Sequence, residues 1–236
     1  MNYTKKLTLI YSLILISLFT TCSDSVEPEI PNLPYMSLAV GDERQFIFTT
    51  DSSTVFYLVK DKLLRSDGLD VYSYEWYYGR DTVPMLGYYS IKDGFFIATA
   101  LDTVRDSINY IPSNPFREQR LAKLYPKDGD FWQNIVGDST ALYFVAKNIG
   151  TQKTPAGIFH NSFSFTLDNF LSVNYSKGIG HIASIVLPDS TAVLSSYLKV
   201  NHIVYGNKMP PKDPISPNIN FKNNFKKLFS HLLGNF

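Results

Sequence analysis

The chain has 236 residues, 44% apolar, 15% aromatic and 18% charged, with 22 Lys and Arg against 21 Asp and Glu. This length and apolar content accommodate one or two domains with a real core, and exclude a disordered or fibrous chain. The near-zero charge balance argues against nucleic acid as a partner, and a single cysteine excludes an internal disulfide framework or a cysteine-based metal knuckle.

At the N-terminus, Lys5 and Lys6 precede an apolar run from Leu7 to Phe19, and Thr20, Thr21 and Cys22 follow. A basic start, a short apolar centre and a small-residue exit describe a secretory signal peptide over residues 1–21. The run is shorter than the roughly 20 residues a transmembrane helix needs. Leu18-Phe19-Thr20-Thr21-Cys22 resembles a bacterial lipobox, with Phe19 and Thr21 where the common form has Leu and Ala or Gly. That resemblance implies lipidation of Cys22, palmitate included, and stable anchoring, since several acyl chains on one residue hold where a single chain binds reversibly. The expected location is the cell envelope, foremost the outer membrane, on its periplasmic or surface face. Residues 22–34 then form the lipidated cysteine and its tether; Ser23 to Pro34 is polar, acidic and proline-bearing. Acidic residues just after the cysteine also resemble surface-export signals of some Gram-negative lipoproteins. Removal of residues 1–21 takes away two lysines and no acid, turning the formal charge from +1 to −1.

Residues 35–205 are dominated by period two and predict an antiparallel, mostly β domain. Val55 to Val59 and Leu142 to Val145 read as more fully buried strands. In Tyr72-Ser73-Tyr74-Glu75-Trp76-Tyr77-Tyr78, alternation puts Tyr72, Tyr74, Trp76 and Tyr78 on one face. Lys92-Asp93-Gly94, Pro155-Ala156-Gly157 and Lys177-Gly178 punctuate hairpins. Between them, Asn114-Pro115-Phe116-Arg117-Glu118 offers an N-cap with proline at the first helical position, and with Leu121 and Leu124 predicts one short helix. Phe163, Phe165 and Leu167 alternate with serines and a threonine, Leu171, Val173 and Tyr175 follow the same rule, and Ala192, Leu194, Ser196, Leu198 and Val200 share one side of a further run. No helical stretches alternate with these strands, which argues against a parallel sheet. Residues 206–220, with four prolines, read as a linker. Over residues 221–236, Phe221, Phe225, Leu228, Phe229, Leu232, Leu233 and Phe236 recur at spacings of three and four, occupying an arc of about 140° on a predicted amphipathic helix.

Four local patterns together resemble a broad group of Gram-negative exported lipoproteins of unknown function. They are Lys92-Asp93-Gly94-Phe95-Phe96, Tyr125-Pro126-Lys127-Asp128-Gly129-Asp130-Phe131-Trp132, Thr154-Pro155-Ala156-Gly157-Ile158-Phe159 and Tyr175-Ser176-Lys177-Gly178-Ile179-Gly180, with His181-Ile182 where Leu-Val is usual. The resemblance implies a curved antiparallel sheet or half-open barrel, similar to lipoprotein and lipid carriers. It supplies no active site.

Candidate chemistry is sparse. Gly178-Ile179-Gly180-His181-Ile182-Ala183 fits the dinucleotide fingerprint, but the following residues read as strand where that motif needs a helix. His160, His181, His202 and His231 lack the spacing of a preformed metal site. No nucleophile elbow accompanies them. Asp128-Gly129-Asp130 and Asp67-Gly68-Leu69-Asp70 lack the ligand count of a calcium loop and read as turns. The expectation is a non-catalytic envelope lipoprotein, without cofactor or metal, held in the membrane at Cys22 and binding a hydrophobic or amphiphilic ligand or an envelope partner. One alternative is a surface glycan-binding module that uses Tyr72, Tyr74, Trp76 and Tyr78, since Tyr and Trp combine apolar area with a polar tip. The other is a hydrolase with no nameable site. The C-terminal residues Phe221, Phe225, Leu228, Phe229 and Leu232 are expected either to pack on the sheet or to meet a membrane or protein partner.

Overall fold

Asp93 and Gly94 both carry positive φ, 50° and 77°, and Asn201 and His202 do the same at 49° and 68°. Two-residue hairpin turns whose twist matches the strands require this conformation, so these positions fix where the chain reverses. The structure is a computed structural model and describes residues 32–36, 38–103, 114–136, 140–168, 170–187 and 190–214. From Pro34 onward these residues form one antiparallel sheet.

Its first half runs β1 (Glu43–Phe48), β2 (Thr54–Leu64), β3 (Asp70–Tyr78), β4 (Met85–Lys92), β5 (Phe95–Thr99) and β6 (Gln119–Lys123). The second half runs β7 (Phe131–Val136), β8 (Thr140–Thr154), β9 (Gly157–Leu167), β10 (Leu171–Ser176), β11 (Gly180–Val186), β12 (Thr191–Val200) and β13 (Ile203–Gly206). Each half is a meander, and the two join side by side through β1 and β12, giving the order β6-β5-β4-β3-β2-β1-β12-β11-β10-β9-β8-β7. β13 folds back on β12, pairing Ile203 with Val200 and Gly206 with Tyr197.

The two ends of that path meet, and side chains rather than a backbone ladder close the gap. The Arg120 N–H donates to Asn134 Oδ1 at 3.0 Å, and Asn134 Nδ2 donates back to the Arg120 carbonyl at 2.9 Å. Trp132 Nε1 donates to the same carbonyl at 3.0 Å. The Asn134 amide thus stands in for the peptide of a neighbouring strand. The result is a nearly closed barrel, further closed than the expected curved sheet or half-open barrel. Both edges, which would otherwise invite another chain, are covered.

Alternation fills the barrel as expected on β9 and β10, where Phe163, Phe165, Leu167, Leu171 and Tyr175 are buried. The inner rings pack edge-to-face or stacked, as with Tyr57 and Trp76 at 5.2 Å and Trp132 and Phe144 at 5.3 Å. Two expectations change. Val55, Tyr57 and Val59 are buried but Phe56 and Leu58 only partly so, while Tyr143 and Val145 are 43% and 45% exposed. A barrel wall has a single inner face, so even a continuous apolar run alternates. On β12, Leu198 and Val200 face away from the main core and join Ala156, Phe159 and Ile182 in a small outer cluster. The tip of the β8–β9 hairpin reaches this cluster, with the Ala156 N–H donating to the Ser195 carbonyl at 2.9 Å.

The predicted short helix is a turn followed by strand β6. Asn114 clamps Glu118 from both sides, its Oδ1 accepting from the Glu118 N–H at 2.8 Å and its Nδ2 donating to the Glu118 carbonyl at 2.9 Å. Arg117 takes a positive φ of 49°, which no helix allows. The N-cap signal is therefore used for a turn, and the chain beyond it is recruited as the strand that closes the barrel. No helix occurs among the described residues. The proline-bearing segment after Gly206 is irregular as expected, but residues 207–213 are strapped to the sheet. The Met209 N–H donates to Gln45 Oε1 at 2.6 Å, the Thr54 N–H to the Lys212 carbonyl at 3.0 Å, and the Arg80 N–H to Asp213 Oδ1 at 2.8 Å. Cys22 and the predicted C-terminal helix, with Phe221, Phe225, Leu228, Phe229 and Leu232, lie outside the described residues.

Candidate ligand cavity

The barrel interior is not completely filled: a cavity of about 90 Å³ lies between its two meanders. From the first meander, β2 contributes Tyr57, β3 Tyr74 and Trp76, β4 Tyr89 and β5 Phe96; from the second, Leu171, Val173 and Tyr175 of β10 face them. Each is there because it occupies the inward positions of its strand. Met36, from the segment before β1, also lines the space. That segment is pinned where the Tyr35 N–H donates to the Leu124 carbonyl at 2.8 Å and the Gly178 N–H donates to the Pro34 carbonyl at 2.9 Å.

Among these apolar walls sits Arg44. It alternates inward with Phe46 and Phe48 on β1 and is only 2% exposed. Its Nη2 donates to the Ile179 carbonyl at 3.1 Å, while its Nε has no hydrogen-bond partner. Gly180 makes this placement feasible. Its φ is +90°-class, at 94°, and a Cβ there would come within 2.8 Å of Met36 Sδ and 3.1 Å of Arg44 Nη2. Asp42, two residues before Arg44, is also buried, and its Oδ1 accepts from the Asn201 N–H at 3.0 Å. Burial raises the Asp42 carboxyl pKa, and the Arg44 charge only partly offsets that. Among the described residues, Arg44 makes no ion pair within 4.0 Å. Tyr74 is near enough to feel the Arg44 charge, but its hydroxyl lacks hydrogen-bond geometry, and burial pushes it up to about 12.

His181 completes the polar side of the cavity. Tyr175 pairs with His181 and Asn174 with Ala183, so Ile182 is an extra residue, a β-bulge. This bulge turns both His181 and Ser184 towards the lumen, with His181 Nε2 2.8 Å from Ser184 Oγ and 3.1 Å from the Ala183 carbonyl. His181 stacks on Phe46 at 4.5 Å. Burial, with the Arg44 charge adding to it, lowers its pKa to about 3, so the ring is neutral near pH 7. The Ala183 carbonyl can only accept, which assigns the hydrogen to Nε2. The nitrogen that faces Ser184 is thus a donor, the wrong polarity for a base that would activate that hydroxyl. The histidine and hydroxyl meet, but without the carboxylate and basicity of a hydrolytic triad.

Of the four aromatic residues singled out on β3, Tyr74 and Trp76 line the cavity, Tyr78 is buried in the core and Tyr72 is half-buried. They therefore form no stacking platform on the outer surface. Arg44, Tyr175, His181 and Met36 were not anticipated. A signal for Arg44 is an arginine in phase with Phe46 and Phe48, but phase alone does not tell a buried charge from one at a strand end. Outside the barrel, a polar depression of about 290 Å³ near the seam is lined by Lys92, Glu118 and Arg120 among others. Lys92 and Glu118 there pair with each other at 2.8 Å.

No family model matches the chain, and no curated protein does. A crystal structure of a "putative lipoprotein" from Parabacteroides distasonis ATCC 8503 is similar in architecture, with a TM-score of 0.41 and 11% identity, over 71% of this chain and 99% of that one.

Proposed function

We propose that this chain is a non-catalytic envelope lipoprotein, held to a membrane through Cys22, whose barrel binds a hydrophobic or amphiphilic small molecule. The single observation that carries the ligand half is the cavity itself. Its walls are mostly tyrosine, tryptophan, phenylalanine, leucine and valine, and well-packed interiors rarely leave such space unfilled. The anchoring half rests on the lipobox-like sequence ending at Cys22, within the group of exported lipoproteins that the turn motifs resemble. The tether from Cys22 to Pro34 reaches at most about 40 Å when fully extended, so the barrel would work close to its membrane.

Two measurements test this reading. Metabolic labelling with an alkyne-bearing palmitate is expected to mark the wild-type protein and not Cys22→Ala; equal labelling overturns the anchor. Titration with 1-hexanol is expected to shift resonances of the cavity side chains, and Val173→Trp, which fills the space, is expected to abolish that shift while the melting temperature is kept or raised. Absence of any shift in the wild type overturns the ligand half.

A further inference from the structure

We propose that the ligand of this cavity carries an anionic head group, a carboxylate on a short apolar chain, and that Arg44 binds it; this rests on the ligand-binding reading above and specifies its chemistry.

The argument begins with how the same chain treats its other buried arginine. Arg65 is also 2% exposed, yet every face of its guanidinium is occupied. Its Nε and Nη2 bond the two oxygens of Asp67 at 2.8 and 2.6 Å, Nη2 reaches Glu118 at 2.5 Å, and Nη1 reaches Thr99 at 2.6 Å. Phe116 covers the plane at 3.8 Å. That is how a buried charge is stabilised, by pairing and by saturating its donors. Arg44 has neither. It holds one carbonyl, its Nε is unbonded, and no carboxylate lies within ion-pair range among the described residues. A guanidinium cannot shed its charge by losing a proton as a buried amine can, so the deficit stays unless something else supplies the anion.

What surrounds Arg44 indicates where that anion would sit. Asp42, Tyr74, Tyr175 and His181 are the groups that share its electrostatic environment. Tyr74 lines the same cavity, and its hydroxyl is close enough to feel the Arg44 charge. The Arg44 guanidinium, short of a counter-charge, thus lines the same space as Tyr74, and a carboxylate has two acceptor oxygens to set against it. Neutral His181 adds no competing charge. Apart from the Ser184 hydroxyl, which His181 engages, the rest of the lining is apolar, which suits a hydrocarbon chain rather than a free inorganic ion. The volume of about 90 Å³ corresponds to a head group and the first carbons behind it.

The test uses the full chain in lipid bicelles, titrated with hexanoate and with 1-hexanol, which differ in the head group alone. Affinities are corrected for partition into lipid and read at the Arg44 Nε–H resonance. Hexanoate is expected to bind about tenfold or more tightly than 1-hexanol and to shift the Nε–H resonance downfield, as a charge-assisted hydrogen bond should. In Arg44→Met the preference is expected to disappear while 1-hexanol still binds. Equal affinity for the two probes in the wild type, with no Nε–H shift, overturns the anion assignment and leaves the cavity reading intact; Asp42 would then be the sole counter-charge. Binding of neither probe overturns both. Should Arg44→Met fail to fold, the wild-type affinity ratio and the Nε–H shift still decide.

Discussion

Arg44 and Arg65 occupy equally dry sites, and their substitution should separate a structural role from a binding one. Replacing Arg65 by Met strips Asp67 and Glu118 of their shared partner and leaves a turn of β2–β3 unpinned from the Asn114–Glu118 loop. The expected loss is towards the low end of the about 3–5 kcal/mol seen when a buried pair is broken, because both acids keep some solvent contact. Arg44→Met removes an incompletely paired charge from an apolar lumen, and should be neutral or stabilising in the unliganded protein. Urea midpoints of the two variants check this ordering. His181 adds a pH dependence whose sign is fixed by its lowered pKa. Between pH 6.5 and about 3 the unfolded chain holds a proton that the folded chain excludes, so stability is full above pH 6.5 and falls as pH drops through that window. His181→Phe, which keeps the stack on Phe46, should shrink the difference in urea midpoint between pH 7 and pH 5.

At the scale of elements, closure of the sheet depends on one side chain behaving as backbone. Asn134 is buried at 6% exposure and satisfies both the N–H and the carbonyl of Arg120. Asn134→Leu preserves size but orphans the Arg120 N–H and leaves its carbonyl to Trp132 Nε1, at an expected cost of about 1–3 kcal/mol. Asn134→Asp keeps the acceptor and loses the donor, and should fall between. Amide exchange at Arg120 should accelerate in the leucine variant while exchange in β1 and β12 stays slow, since opening at the seam is local. Unchanged exchange at Arg120 would show that Asn134 does not hold the seam. The strap of residues 207–213 works in the same manner on the opposite side of the wall. Gln45 points outward from β1, and its buried amide is met by Met209, which gives that strand two covered faces.

For the molecule as a whole, the junction that unites the two meanders is the most distant in sequence. Glu43 on β1 and Lys199 on β12 are 156 positions apart, and their pairing joins the halves of the barrel. Each meander can form from neighbouring hairpins, but the lumen exists only after this long-range pairing. Stopped-flow refolding should therefore proceed in milliseconds to seconds or slower. Completion within microseconds would contradict the topology. The cavity belongs to the same late step, because its walls come from both meanders. By itself, the sequence determined the strands and their turns: period-two alternation over Phe163–Leu167 and Leu171–Tyr175, and the Asp93-Gly94 reversal, are local patterns enforced by backbone geometry and by one-sided burial. It misread Asn114–Leu124, where a good N-cap was outweighed by the need for an edge strand to meet Asn134. Only the tertiary structure decided that the sheet closes, that β3 turns its aromatic rings inward, and that a lone guanidinium ends up among them, because closure brings together residues with no local relationship and whether a charge is paired depends on what arrives from the other side.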